Sequence, residues 1–164
     1  MLLVREILGD VEEPRFAGRA VERLPVASAD ASKRRLRAQT DAGTDVAVDL
    51  ERGSYLRHGA VLDDDGVRVV VVERKPEEAM IVRLSAELDP DGRLRQAVRL
   101  GHAFGNQHVP LEVEGDEIRV PITTSREIAA DTVRALRLDG VEITFDFVQL
   151  GKAEPLRAPA HTHR

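Results

Sequence analysis

The chain has 164 residues, of which 42% are apolar and only 3% aromatic, and 24 Lys+Arg face 29 Asp+Glu for a formal net charge of -5. Its length permits one domain or two small ones, and an acidic chain poor in aromatic platforms is ill suited to nucleic acid, where neutralisation of phosphate dominates affinity. The absence of cysteine removes disulfides, thiolate zinc sites and thiol catalysis together.

The first 75 residues read as short strands. Leu2-Leu3-Val4 and the stretch from Ala20 to Val26 are apolar runs with polar breaks. Arg35 to Gln39 and Asp45 to Leu50 alternate with period two around Asp41-Ala42-Gly43, which predicts a hairpin. Asp64-Asp65-Gly66 separates Ala60-Val61-Leu62 from the Val-rich run after Gly66, a second hairpin signal. No convincing helix interrupts this region, so an all-β unit of six or seven strands is expected.

Near Lys75-Pro76 the pattern changes. Met80 to Leu84 reads as a strand, and Asp89-Pro90 offers an N-cap with Pro at the first helical position. Leu94, Ala97, Val98 and Gly101 then recur at helical spacing, predicting an amphipathic helix that runs to about Phe104. Leu111 to Glu114 and Glu117 to Val120 flank a Gly115-Asp116 turn. Thr124-Ser125-Arg126-Glu127 has capping-box spacing and opens a second helix with Ile128, Thr132, Ala135 and Leu136 on one face. Val141 to Phe147 closes as a strand. The succession βαββαβ is that of a split βαβ, or ferredoxin-like, unit. The expected fold is therefore α+β: an all-β domain over 1–75, a ferredoxin-like domain over 76–150, and a flexible tail over 151–164.

The opening Met1 to Glu6 is too short and too soon charged for a signal peptide. With no window of 18 consecutive apolar residues there is no predicted membrane span. A cytoplasmic location is the expectation.

Four of the five histidines sit in two short places: His102 and His108 near the end of the first predicted helix, and His161 and His163 at the end of the chain. In Gly105-Asn106-Gln107-His108-Val109-Pro110, Gly105 and Asn106 tolerate the left-handed backbone that helix C-termini use. Pro110 drives Val109 toward extended geometry, so His108 stands on a stiff corner. There it either presents a ring nitrogen to a metal or caps the last carbonyls of the helix, where a cation suits the dipole. His102, about a turn and a half earlier, reads as structural or partner-facing. His161-Thr162-His163 places two imidazoles on one side of an extended segment, forming either a two-residue chelate or a polar terminus without a role. Ordering such a tail opposes binding by roughly 1–2 kcal/mol per residue, and pairing with a preformed ligand such as His108 offsets this through effective concentration. Nitrogen-only ligation suits Ni, Zn, Cu or Co. Because protons compete for imidazole, whose ordinary pKa is about 6.5, such binding fades below about pH 6.

No HExxH, GxSxG, P-loop or GxGxxG accompanies these residues, so the expectation is a non-enzyme. Asp63-Asp64-Asp65 reads as a turn carrying solvated charge rather than a cation site. Lys33-Arg34-Arg35 with Arg37 reads as an edge strand protected by charge, and His58 as an ordinary turn residue.

Gly105-Asn106-Gln107-His108-Val109-Pro110 strongly resembles the Gly-Asn-Arg-His-x-Pro signature of the urease accessory protein E family, the nickel metallochaperones of urease assembly. The resemblance covers about residues 1–150. Arg35 through Leu50, Leu56 through Leu62 and the Val-rich strand look like that family's N-terminal domain, and the βαββαβ half looks like its metal-binding domain. The resemblance implies a homodimer in which two copies of His108 face each other across the two-fold axis and bind nickel, with His161 and His163 assisting. It implies Zn2+ or Cu2+ as in vitro substitutes, and as partners the urease accessory GTPase complex and the urease apoprotein, with neither nucleic acid nor membrane. The N-terminal domain would dock proteins. Three departures stand out: Gln107 replaces the usual Arg, Pro121 to Glu127 carries none of the extra histidines that some members have there, and the tail has only two histidines where some members have many. About one interfacial ion per dimer is therefore expected. The rival expectation is a protein-interaction adaptor that binds metal incidentally.

Overall fold

A computed structural model describes residues 1–152 and 156 of the chain. It is a mixed structure of sheets and two α-helices, and its described residues divide into two compact units: residues 1–75 with 149–152, and residues 76–148 with Leu156.

The first unit holds seven strands: β1 (Leu2–Val4), β2 (Gly9–Asp10), β3 (Ala20–Pro25), β4 (Arg35–Gln39), β5 (Asp45–Asp49), β6 (Ala60–Asp64) and β7 (Arg68–Glu73). A single 3-10 turn over Pro14–Phe16 interrupts them. One sheet runs β1-β5-β4, parallel at β1/β5 and antiparallel at β4/β5. The other runs β2-β6-β7-β3, parallel only at β3/β7. Gly43 and Gly66 have φ of 85° and 88° in the two hairpin turns, a left-handed geometry that glycine adopts without steric penalty. The two-residue β2 and the 3-10 turn are too short for sequence periodicity to reveal.

The run Val69-Val70-Val71-Val72 is apolar throughout because both faces of its sheet are covered. Val70 and Val72 join a core with Leu24, Val46, Val48 and Leu56, while Val69 and Val71 pack with Phe16 and Val61 on the other side. Glu22 is the buried acid of this unit, only 5% exposed. The Thr40 hydroxyl donates to its carboxylate and Arg68 pairs with it. These donors, Thr40 first, then Thr44 and Arg68, hold the Glu22 carboxyl down at about 2 against the opposing effect of burial. The arginine-rich strand β4 is the edge of its sheet, where Arg34 and Arg35 pair with Asp49 and Arg37 with Asp45. The acidic run is a turn: Asp64 accepts from Gly66 N–H and pairs with Arg19, and Asp65 accepts from Val67 and Arg68 N–H.

His58 does more than turn the chain. Its Nδ1 accepts the Arg74 N–H at 3.1 Å, and its own N–H donates to Gly151 O at 2.7 Å. Gln149 Nε2 donates to Arg74 O at 3.0 Å. Arg74 is fully buried and donates to Tyr55 Oη and Ser28 Oγ. Gly151 has φ of 80°, and a Cβ there would stand 2.5 Å from Arg74 Nη1. The residues after the last strand are thereby fastened to the first unit.

The second unit comprises β8 (Pro76–Leu84), α1 (Pro90–Asn106), β9 (Glu112–Glu114), β10 (Glu117–Pro121), α2 (Arg126–Ala135) and β11 (Val141–Gln149). Its sheet runs β11-β8-β10-β9, with β10 antiparallel to both β8 and β9. Both helices lie against β8. Met80, Val82, Ile118 and Val120 from the sheet meet Leu100 and Phe104 of α1 and Ala130 and Val133 of α2 in one core.

Two helix faces differ from expectation. In α1 the residues that reach the core are Leu100 and Phe104, while Leu94 and Val98 are 65% and 61% exposed. The helix carries two apolar stripes, and the one with the larger side chains packs inward. In α2 the buried residues are Ala130 and Val133, Ile128 is exposed, and the N-cap is Ser125 rather than Thr124, its Oγ accepting from Ile128 N–H at 3.3 Å.

Candidate metal centre

Helix α1 begins where the sequence indicates, with Asp89 as N-cap accepting from Gly92 N–H and Pro90 in the first turn. Its other end builds the corner that carries His108. Val109 N–H donates to Phe104 O and His108 N–H to Gly105 O, both at 3.0 Å. With Gln107 as C-cap, these are the two bonds of a Schellman motif, and His108 occupies its left-handed position. The φ of His108 is 55°. Gly105 and Asn106, the residues suited to that backbone, remain within the helix. Side chains enter this region at a cost of order 1 kcal/mol or more; Arg137, just past the end of the second α-helix, takes it too with a φ of 47°, so the geometry fixes the corner without by itself assigning it a ligand.

Three features make the corner stiff. Phe104 is buried and Val109 packs against the same core, supplying the apolar contact that accompanies the motif. Pro110 follows, restricting Val109. From α2, Thr132 Oγ1 lies 3.3 Å from Gln107 Oε1 and donates to it or to Ile128 O. This neutral tie stands at the position where the resembled signature has an arginine, and a glutamine alone did not signal it. His108 itself is exposed, and its backbone is held at the corner.

His102 is also exposed on α1, and its Nε2 lies 3.2 Å from Asn106 Nδ2 one turn later. Among the described residues no group of three or more His, Asp or Glu is gathered to hold a metal. His161 and His163 lie outside the described residues. The nearest described residue to them in sequence is Leu156, whose N–H donates to Leu111 O at 2.8 Å and whose O accepts from Leu111 N–H at 3.1 Å. This antiparallel bridge, three residues past His108, has no periodic signal in the sequence. A single histidine is one ligand, so a metal bound at His108 draws its remaining ligands from elsewhere.

Several arginines of this unit make structural contacts. Arg99 Nη2 donates to Leu136 O at 2.7 Å, satisfying a carbonyl at the end of α2. Arg126 pairs with Glu78 and stacks over Phe145. Arg83 and Arg119 share Glu117, whose carboxyl they hold below its ordinary value, Arg119 most strongly. No described helix is long and apolar enough to cross a membrane.

Comparison with known proteins matches residues 4–75 to the model described as UreE urease accessory protein, N-terminal domain. Residues 77–164 match that of the UreE urease accessory protein, C-terminal domain. A protein of Pseudomonas syringae pv. tomato named urease accessory protein UreE 1 is 31% identical over 150 residues, spanning 85% of this chain and 97% of that protein. A urease accessory protein UreE of Yersinia aldovae is 30% identical over 94% of this chain and 70% of its own length. One from Natronomonas pharaonis is 37% identical over 71% of this chain and 53% of its own length.

Proposed function

The chain belongs to the UreE urease accessory protein family, whose members are accessory proteins of urease maturation, and we propose that it serves there as a carrier of Ni(II). The observation that carries this reading is His108 in the left-handed position of the α1 terminus. The left-handed cap holds the backbone of this residue fixed, and its imidazole is a good ligand for Ni(II).

The carrier works as a homodimer. The α1 stripe of exposed Leu94, Val98 and Gly101, with half-buried Ala97 among them, supports this, since an exposed apolar face on the helix that ends at His108 invites a second copy. An isologous contact presents the same residues twice, so two His108 rings meet one ion and His161 and His163 complete its shell. The ferredoxin-like reading of the second unit is supported by its sheet, in which the fourth, first, third and second strands of βαββαβ lie side by side. The first unit, with no candidate ligand cluster among its described residues, serves as the docking domain. The partners are the urease accessory GTPase complex and the urease apoprotein, and the setting is the cytoplasm.

The ligand arrangement suits a carrier. Imidazoles shared between two chains and a tail detach one at a time, so the ion passes to a receiving site without a step in which all bonds break together. Zn2+ or Cu2+ would occupy the same nitrogen set in vitro. Calorimetric titration with nickel tests the ligand assignment. His108→Ala is expected to abolish the tightest site, and truncation after Pro159 to weaken it less. If truncation alone abolished binding, His108 would not be the anchor; no specific binding at micromolar nickel would leave a protein-interaction adaptor as the reading.

A further inference from the structure

The three-stranded sheet of the first unit buries one face and leaves the other open. Val4, Val46, Val48 and the partly buried Leu36 join the core, so by the strand period of two the residues between them point outward. Register sets Arg35 opposite Asp49 and Arg37 opposite Ala47, with Leu3 of β1 on the other side of Ala47. The side chains of Arg35 and Arg37 are 73% and 70% exposed, against 37% and 28% for Asp49 and Asp45, so the guanidiniums stand outside the carboxylates they pair with. Leu3 is 51% exposed. Arg37 gives Nε and Nη2 to Asp45 at 3.0 and 2.7 Å, while Arg34 and Arg35 each give Nε to Asp49. A guanidinium has five N–H donors, so each of the three keeps donors without a partner among the described residues. Arg5, just past β1, is exposed as well.

We propose that this open face docks an acidic segment of a partner protein, with Leu3 and Ala47 as its apolar centre and Arg5, Arg34, Arg35 and Arg37 as its cationic rim. This rests on the assignment of the first unit as the docking domain and names the face and the chemistry it takes. Charge along β4 alone would serve to keep an edge strand from pairing with other chains. That role asks nothing of β1, at the far edge of the same sheet, where Leu3 and Arg5 extend the pattern. Arginine around an apolar centre is the composition of protein interfaces. The remaining N–H donors can take a partner's carboxylate through paired hydrogen bonds, and the pairs with Asp45 and Asp49 already hold the long side chains, which reduces the ordering cost of binding. A chain with a formal net charge of -5 gains attraction for an acidic partner only where its cations are gathered outward, as here. A nucleic acid fits the face poorly, because Asp45 and Asp49 lie within it and its outward residues include no aromatic ring to stack on a base.

The test uses the full chain and a fluorescently labelled peptide of about twelve residues, Asp and Glu interrupted by two leucines, read by anisotropy. Binding is expected, and it should weaken as salt rises from about 50 to about 200 mM. Arg35→Glu with Arg37→Glu is expected to raise the dissociation constant at least about tenfold, and Leu3→Ala about threefold. Arg134→Glu with Arg137→Glu changes net charge equally on exposed positions of the second unit and is expected to leave it unchanged. Amide shifts of the wild-type protein on adding peptide are expected at Leu3, Arg35 to Gln39 and Asp45 to Asp49, a reading that needs no variant to fold. Equal losses in the two double variants, no binding at millimolar peptide, or an oligonucleotide of the same charge that binds as tightly would overturn the proposal. Shifts confined to another surface of the first unit would overturn this face and leave the docking domain standing; shifts confined to the second unit would overturn both. Nickel affinity of Arg35→Glu with Arg37→Glu is expected to match the wild type, which separates docking from metal carriage, and loss of both together would overturn the assignment of these arginines to docking.

Discussion

Replacing Leu94 and Val98 together by Ala tests whether the uncovered stripe of α1 is the seam of a homodimer. The two side chains are 65% and 61% exposed in the single chain, so each has over half of its surface left to bury. Full burial of a Leu or Val stabilises by roughly 1.5–3 kcal/mol, and about 0.6 of a central ~2 kcal/mol is near 1.2 per side chain. An isologous interface counts each twice, so four side chains contribute about 5 kcal/mol. Ala retains part of this area, which leaves an expected loss of about 3 kcal/mol, or a dimer dissociation constant raised roughly a hundredfold. Sedimentation equilibrium over a concentration series reads that constant directly. Urea unfolding serves as a control, since an exposed substitution shifts the stability of the fold itself by about 0.5 kcal/mol or less. A folded double variant with an unchanged dimer constant would refute the placement of the two-fold seam on this face.

At position 108, Gly and Ala both remove the ligand but differ in backbone freedom. His108→Gly is expected to unfold at higher urea than His108→Ala by about 1 kcal/mol, because only Gly adopts a φ of 55° freely. Equal stabilities would mean that the corner relaxes. Glu22→Gln removes a carboxylate held at about 2, below its ordinary 4.5, and is expected to destabilise at neutral pH by at most about 3 kcal/mol. Since the folded pKa is the depressed one, Glu22's contribution is complete above about pH 5 and disappears as pH falls toward about 2. Wild-type and variant curves should therefore converge in acid, and a constant gap would remove the carboxylate from the explanation. Gly151→Ala combines a φ of 80° with a Cβ 2.5 Å from Arg74 Nη1 and is expected to lose at least about 1 kcal/mol in urea unfolding.

The architecture was legible where local chemistry is redundant. The Asp-Ala-Gly and Asp-Asp-Gly turns, the Asp89-Pro90 helix start and the period-two strands each carry two agreeing signals. The inward face of α1 was not, because Leu94-Ala97-Val98-Gly101 and Leu100-Phe104 both satisfy helical spacing and only packing volume chooses between them. His108 was legible as a stiff corner but not as its left-handed residue, since Gly105 and Asn106 are cheaper there and the hydrogen bonds to Phe104 and Gly105 decide the position. His58 and Leu156 were illegible because each depends on pairing with residues far away in sequence, Arg74 and Gln149 for the first and Leu111 for the second.

In the proposed carrier one nickel ion joins two chains through His108. Native mass measurement during a nickel titration tests it most directly, because protein mass and metal count come from the same particle. A two-chain species carrying about one tightly held nickel ion is expected, and a His108→Ala protein that lacks it at the same metal concentration. A tight nickel ion on a single chain, three or more tight ions per dimer, or an undiminished site in His108→Ala would contradict it.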